Sequence, residues 1–189
     1  SKLNVPRIGV RFRLPASMNQ VEYFGRGPAE NYLDRNAGSM IGLYKSTAEE
    51  LYFPYVRPQE NGHHTDTRWV SLSTGKKGLL IQADNTIGFN ALRNSIEDFD
   101  DEEATGLPRQ WSNFTPEQVA NHDEAAAKSV LRRQHHINDI TPRDFVEVCV
   151  DLKQQGVAGY DSWGSRPEPA YTLPANREYN WGFTLIPLK

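Results

Sequence analysis

The chain has 189 residues, with 21 Lys and Arg against 24 Asp and Glu, a formal charge of −3. That length implies one domain or little more, and the balanced charge leaves no basic face for a nucleic-acid backbone. No apolar run reaches the ~20 residues of a membrane span, and the single cysteine, Cys149, excludes both an internal disulfide and an all-cysteine metal centre.

The chain opens on Ser1-Lys2-Leu3-Asn4-Val5-Pro6, with no initiator Met and no apolar leader, and reads as an excised piece of something larger. From 7 to 14 the pattern alternates: Ile8, Val10, Phe12 and Leu14 share one face, and Arg7, Gly9, Arg11 and Arg13 the other. That is the period of a strand, and a one-residue slip would turn three arginines into the core. Residues 20–24 form a shorter strand candidate, and a short helix is the expectation over 33–42. Strands over 68–73 and 78–83, joined through Thr74-Gly75-Lys76-Lys77, suggest a hairpin.

The stretch 96–140 reads as an insertion. Its acidic run, Glu97 to Glu103 with only Phe99 uncharged, is a solvated, self-repelling loop and lacks glycine-punctuated calcium spacing. Thr115-Pro116-Glu117-Gln118 has the form of a capping box and predicts a helix over 115–128. Strands resume at 145–152, with Val146, Val148, Val150 and Leu152 on one face, and at 179–186, with Tyr179, Trp181, Phe183 and Leu185 aligned. Strand and long helix never alternate, which argues against a parallel sheet. The expectation is an all-β, antiparallel sandwich carrying a short helical insertion, with 1–189 as a single domain.

Three clusters could carry chemistry. In the first, Gly25-Arg26-Gly27-Pro28 makes a tight turn followed by Glu30-Asn31-Tyr32-Leu33-Asp34-Arg35. Pro28 removes a donor that a phosphate cradle would need, and the four charges Arg26, Glu30, Asp34 and Arg35 can instead pair as a structural corner. In the second, 54–69, Glu60, Asn61, Arg68 and several aromatics crowd together. This is the equipment of a sugar site, and equally of a polar loop packed on a partner domain. Neighbouring His63 and His64 point to opposite faces of a strand, which disfavours a shared metal, and His135-His136 meets the same objection. In the third, Trp163 stands in the glycine-flanked loop Gly159-Tyr160-Asp161-Ser162-Trp163-Gly164, either as a stacking platform or folded back on the core. No nucleophile motif is present, and nothing in the carboxylate spacing marks an acid/base pair.

Taken together the clusters resemble the C-terminal domain of glycoside hydrolase family 2 β-galactosidases of the large lacZ type. The resemblance rests on Pro6-Arg7-Ile8-Gly9, on Gly25-x-Gly27-Pro28-x-Glu30-Asn31-Tyr32-x-Asp34-Arg35, and on Pro54-Tyr55-Val56-x-Pro58-x-Glu60-Asn61-Gly62 with Thr67-Arg68. Gly88-Phe89-Asn90 and Asp161-Ser162-Trp163 follow in the family's order. The stretch 96–140 departs from the pattern, being longer and more acidic.

The resemblance implies a large, galactose-mutarotase-like supersandwich, entered here after its first strands. It implies hydrolysis of terminal, lactose-like β-D-galactosides by a parent enzyme whose two catalytic glutamates lie in a separate barrel domain. No residue of this chain is then catalytic. Trp163 matches the aromatic that stacks on the aglycone sugar, while Glu30, Asp34, Arg35, Glu60, Asn61 and Arg68 are structural or sugar-facing. Magnesium and sodium or potassium would belong to the parent's barrel, with no cofactor or metal in this chain. The expected partners are the parent's other domains, the galactoside and, through an exposed sheet edge, a second copy, with neither nucleic acid nor membrane. A bacterial cytoplasm and a periplasm both fit. The alternatives are a free-standing carbohydrate-binding module, and an aldose epimerase using His63 or His64 with Glu60.

Overall fold

A computed structural model describes residues 3–56, 59–99, 137, 140–161 and 164–189. It divides into two compact units, one of residues 1–53, 61–93 and 143–189, the other of 54–60 and 94–142.

The first unit is an antiparallel sheet of seven strands, so the chain is all-β as its alternating patterns predict. The strands are β1 (Arg7–Pro15), β2 (Gln20–Gly27), β3 (Met40–Thr47), β4 (His64–Ser73), β5 (Gly78–Leu92), β6 (Phe145–Gln154) and β7 (Phe183–Leu188), in the order β1-β6-β5-β4-β2-β3. The long β5 organises the sheet. Along one edge it pairs with β4; along the other its first half carries β7 and its second half carries β6. The β4–β5 hairpin closes at Ser73↔Gly78, with Thr74 N–H donating to the Lys77 carbonyl at 2.8 Å.

The core lies on the face of Val21 and Tyr23 of β2, Val70 and Leu72 of β4, Ile81 and Phe89 of β5 and the three valines of β6, each at most 2% exposed. Tyr23 meets Phe89 edge-on at a centroid distance of 5.0 Å. At ~25 cal/mol per Å² of apolar burial, this valine- and aromatic-rich face drives the folding of the unit.

Two expectations are corrected. The short helix over 33–42 is a turn closed by Tyr32 and Arg35, followed by strand β3. And β6 is buried on both faces: Glu147 and Asp151, which alternate away from its valines, are 3% and 1% exposed. The cause is the neighbouring edge strand. Arg11 and Arg13 of β1 reach Glu147 at 3.6 and 3.1 Å, and Arg7 reaches Asp151 at 2.8 Å. The arginine face of β1 thus engages β6, while Val10 on the other face is 43% exposed. Cys149 is a buried thiol in the same strand. The last strand begins at Phe183, four residues later than its pattern suggests, and runs through Pro187.

In the second unit Ser95 N–H donates to the Asp98 carboxylate at 2.9 Å, starting a 3-10 turn, and Asn94 Nδ2 donates to the Thr141 carbonyl at 2.9 Å. Most of the expected insertion at 96–140, and all of the helix expected at 115–128, lie outside the described residues. Among the described residues no helix is long and apolar enough to cross a membrane.

Candidate functional site

The first cluster begins where β2 ends. Gly25 is required there by close approach, since a Cβ would come within 2.5 Å of Thr67 Oγ1 and 2.9 Å of its Cα. Beyond it the chain turns, and Asn31, fully buried, staples the turn to β4. Its Oδ1 accepts Thr65 N–H at 3.0 Å and the Thr65 hydroxyl at 2.6 Å, and its Nδ2 donates to the Arg26 and Ala29 carbonyls at 3.1 Å each. All hydrogen-bonding capacity of that amide is used.

Glu30 closes the same corner. One carboxylate oxygen accepts Gly62 N–H at 2.7 Å and the Tyr32 hydroxyl at 3.1 Å; the other accepts Arg35 Nη2 at 3.1 Å. Arg35 also lies 5.0 Å from the Tyr32 ring centroid. Arg26 pairs not with these acids but with Asp66, at 2.5 Å, and donates to the Ser39 carbonyl at 2.8 Å. Asp66, at φ 51°, sits where the β4–β5 register shifts.

The second cluster enters the sheet at His64, where β4 begins. Asn61 makes a two-way bond with the Phe53 backbone, accepting its N–H at 2.8 Å and donating to its carbonyl at 2.6 Å. Arg68 donates to the Asp66 carbonyl at 2.5 Å and rests over Phe24 at 5.7 Å. Glu60 is half-buried in the second unit.

His63 is 1% exposed and stacks on Tyr32 at 5.7 Å. Its Nδ1–H donates to Asn90 Oδ1 at 2.8 Å, an oxygen that also accepts Arg7 Nη2 at 2.7 Å. Burial pushes its pKa down to about 3, against the opposing effect of the Asn90 bond, with Arg7 and His64 pushing the same way as burial. Gly88 lets the ring approach, since a Cβ there would fall 2.6 Å from Nε2. His64 is fully buried between Tyr23 and Phe89, its two ring nitrogens facing the Gly62 and Pro28 carbonyls at 3.1 and 3.2 Å. Burial lowers its pKa as well. Both imidazoles are thus neutral core groups near pH 7. Among the described residues no three His, Cys, Asp or Glu side chains gather as metal ligands.

The third cluster meets the first at Asp34. Its Oδ1 accepts Val157 N–H at 3.1 Å and its Oδ2 accepts Ala158 N–H at 2.7 Å, just after β6. The loop beyond is braced within itself: the Tyr160 hydroxyl donates to the Arg166 carbonyl at 2.7 Å, and Ser165 N–H donates to Asp161 Oδ1 at 3.2 Å. Trp163 lies outside the described residues.

Sequence reasoning grouped these clusters but did not single out Asp66, Asn90, Glu147 or Asp151, whose partners are Arg26, His63 with Arg7, Arg13, and Arg7. Asn90 was in view only as part of a resemblance. The acids alternate with valines or threonines, the ordinary signature of a solvent face.

The described residues thus form an antiparallel β unit whose polar clusters serve as internal clasps, with one loop tied to them by the Asp34 carboxylate. A family model described as Beta galactosidase small chain matches residues 1–185, and the chain belongs to that family. It is similar to a β-galactosidase of Priestia megaterium, 35% identical over 185 residues, which is 97% of this chain and 15% of the relative. β-Galactosidases of Vibrio cholerae (29% over 181 residues, 96% and 14%) and Streptococcus thermophilus (28% over 187 residues, 98% and 15%) match in the same way. The chain therefore spans about 15% of the length of the curated relatives it matches.

Proposed function

We propose that the chain serves as a non-catalytic domain of a β-galactosidase acting on terminal, lactose-like β-D-galactosides, and that it supplies the aglycone side of the active site through Trp163. The observation that carries this reading is the family match over residues 1–185 in relatives of which the chain makes up about 15%. The acid/base and nucleophile of a two-carboxylate, retaining glycosidase would come from the remainder of the parent. The described chemistry is compatible: Glu30, Asp34, Asn61 and both histidines are engaged by backbone or side-chain partners within the domain. An epimerase would need an accessible acid/base pair, and neutral imidazoles at 1% and 0% exposure are poor candidates.

An indole face offers apolar area to the C–H face of a sugar and acts on the leaving-group side, so its contribution falls on ground-state and transition-state binding alike. In the full-length enzyme Trp163→Ala should raise KM for lactose far more than KM for a small aryl galactoside. Equal effects on the two substrates would refute the aglycone assignment. Self-association and the use of metal ions by the parent belong to the same proposal, and sedimentation of the full-length enzyme with and without chelator tests both.

A further inference from the structure

We propose that the cavity beside His63 binds a short alcohol or diol of about two carbons, whose hydroxyl donates a hydrogen bond to the imidazole. The inference is independent of the aglycone reading and stands on described residues of the sheet alone.

The tautomer of His63 is fixed by its neighbours. Asn90 Nδ2 donates to the Asn61 carbonyl at 2.6 Å, so the atom that Arg7 Nη2 meets at 2.7 Å is the amide oxygen. His63 Nδ1 lies 2.8 Å from that same oxygen and must therefore carry the proton. Nε2 is left with a bare lone pair. Among the described residues that nitrogen has no hydrogen-bond partner, although the side chain is 1% exposed. Leaving a buried acceptor unmet is costly, and native proteins meet nearly all of them.

The imidazole lines a cavity of about 50 Å³ between the start of β4, the middle of β5 and the end of β6. Gly88 forms the wall nearest Nε2, where a Cβ would stand 2.6 Å from that atom, so glycine keeps the lone pair open. Gln154 lines the same cavity, and because its Oε1 accepts Arg7 Nη2 at 3.1 Å, the group it can offer a guest is its NH2. A hydroxyl answers both, donating to His63 Nε2 and accepting from Gln154, while Leu33, Ile87 and Leu152 suit a short carbon chain. A cation gains nothing here: the one acid in the wall, Asp66, is paired with Arg26 at 2.5 Å, and Lys153 adds a positive charge. Size sets the other limit. A water needs about 10–15 Å³ of such space, so a cavity of about 50 Å³ takes about four non-hydrogen atoms, which admits ethylene glycol and excludes a hexose.

The test is a titration of the 189-residue chain with ethylene glycol and, in parallel, with acetonitrile, followed by amide chemical shifts. Acetonitrile is of similar size and accepts hydrogen bonds but lacks a hydroxyl donor. Ethylene glycol should saturate the shifts of Gly88 and Gln154 with a Kd on the order of 10–100 mM, as befits so small a ligand. Acetonitrile should move them only in proportion to its concentration. His63→Asn keeps a donor for Asn90 Oδ1 but lacks Nε2, and should weaken the diol about tenfold. Gly88→Ala closes the space beside Nε2 and should do the same. The comparison of the two solvents on the wild type needs no variant, so it decides the matter even where a variant fails to fold. Shifts linear in both solvents, saturation by acetonitrile at the same concentrations, or undiminished affinity in folded His63→Asn would each overturn the proposal.

Discussion

The buried imidazole of His63 makes the fold sensitive to acid in a way that can be worked out in advance. In the unfolded chain an imidazole titrates near 6.5; in the folded chain burial takes it down to about 3. Below pH 6.5 the unfolded state therefore binds a proton that the folded state refuses. Stability from this group is complete above that value, declines as pH falls, and stops declining near pH 3. Between pH 7 and pH 4.5 the loss is on the order of 2 to 3 kcal/mol, accumulating with each unit below 6.5. Carboxylates contribute their own pH dependence, so the comparison is with His63→Asn, whose amide can still donate to Asn90 Oδ1 but does not titrate. Urea unfolding of both proteins at pH 7 and pH 4.5 gives four free energies. The wild type should lose roughly 2 to 3 kcal/mol more than the variant over that interval. Parallel losses would show that His63 is hydrated or protonated in the folded state, and would refute the account of the buried network.

Two further expectations concern the clasps. Asn31→Ala strands Thr65 N–H beneath a fully buried corner and should cost about 2 kcal/mol in denaturant unfolding, whereas a loss below 0.5 would mean that water replaces the amide. Arg7→Met should cost about 3 kcal/mol because Arg7 is itself only 19% exposed and faces the buried Asp151, while Arg13→Met, on a side chain 54% exposed whose buried partner Glu147 keeps Arg11 at 3.6 Å, should cost about 1 kcal/mol or less. A reversed order, measured in the same unfolding assay, would show that the edge-strand arginines are not graded by burial.

The strands that the sequence shows most clearly are those whose alternation is apolar on one side and uninterrupted: β1, β6 and the β4–β5 hairpin. Strand β3 is hidden because its large residues Ile41 and Leu43 are 43% and 59% exposed, so hydrophobicity does not mark a buried face. The length of β5 is hidden by Asp84-Asn85-Thr86, polar and exposed, which interrupt a strand that continues to Leu92. Pairings distant in the chain leave no local signal at all. Arg7 meets Asp151 across 144 positions, and Asp34 meets Ala158 across 124. The charged corner at 25–35 was legible as a set of residues that must pair. Its actual partners, Gly62, Asp66 and the backbone after β6, depend on the sheet bringing β4 and β6 to that corner.

The account stands or falls on whether this domain is one wall of a larger site or a sugar site in itself. The direct measurement is a titration of the 189-residue chain with galactose, glucose and lactose into the millimolar range, followed by amide chemical shifts. The account predicts no saturable shift with any of the three, because the tryptophan works only beside the rest of the enzyme. Saturable binding that disappears in Trp163→Ala would contradict it and make the chain a carbohydrate-binding module in its own right.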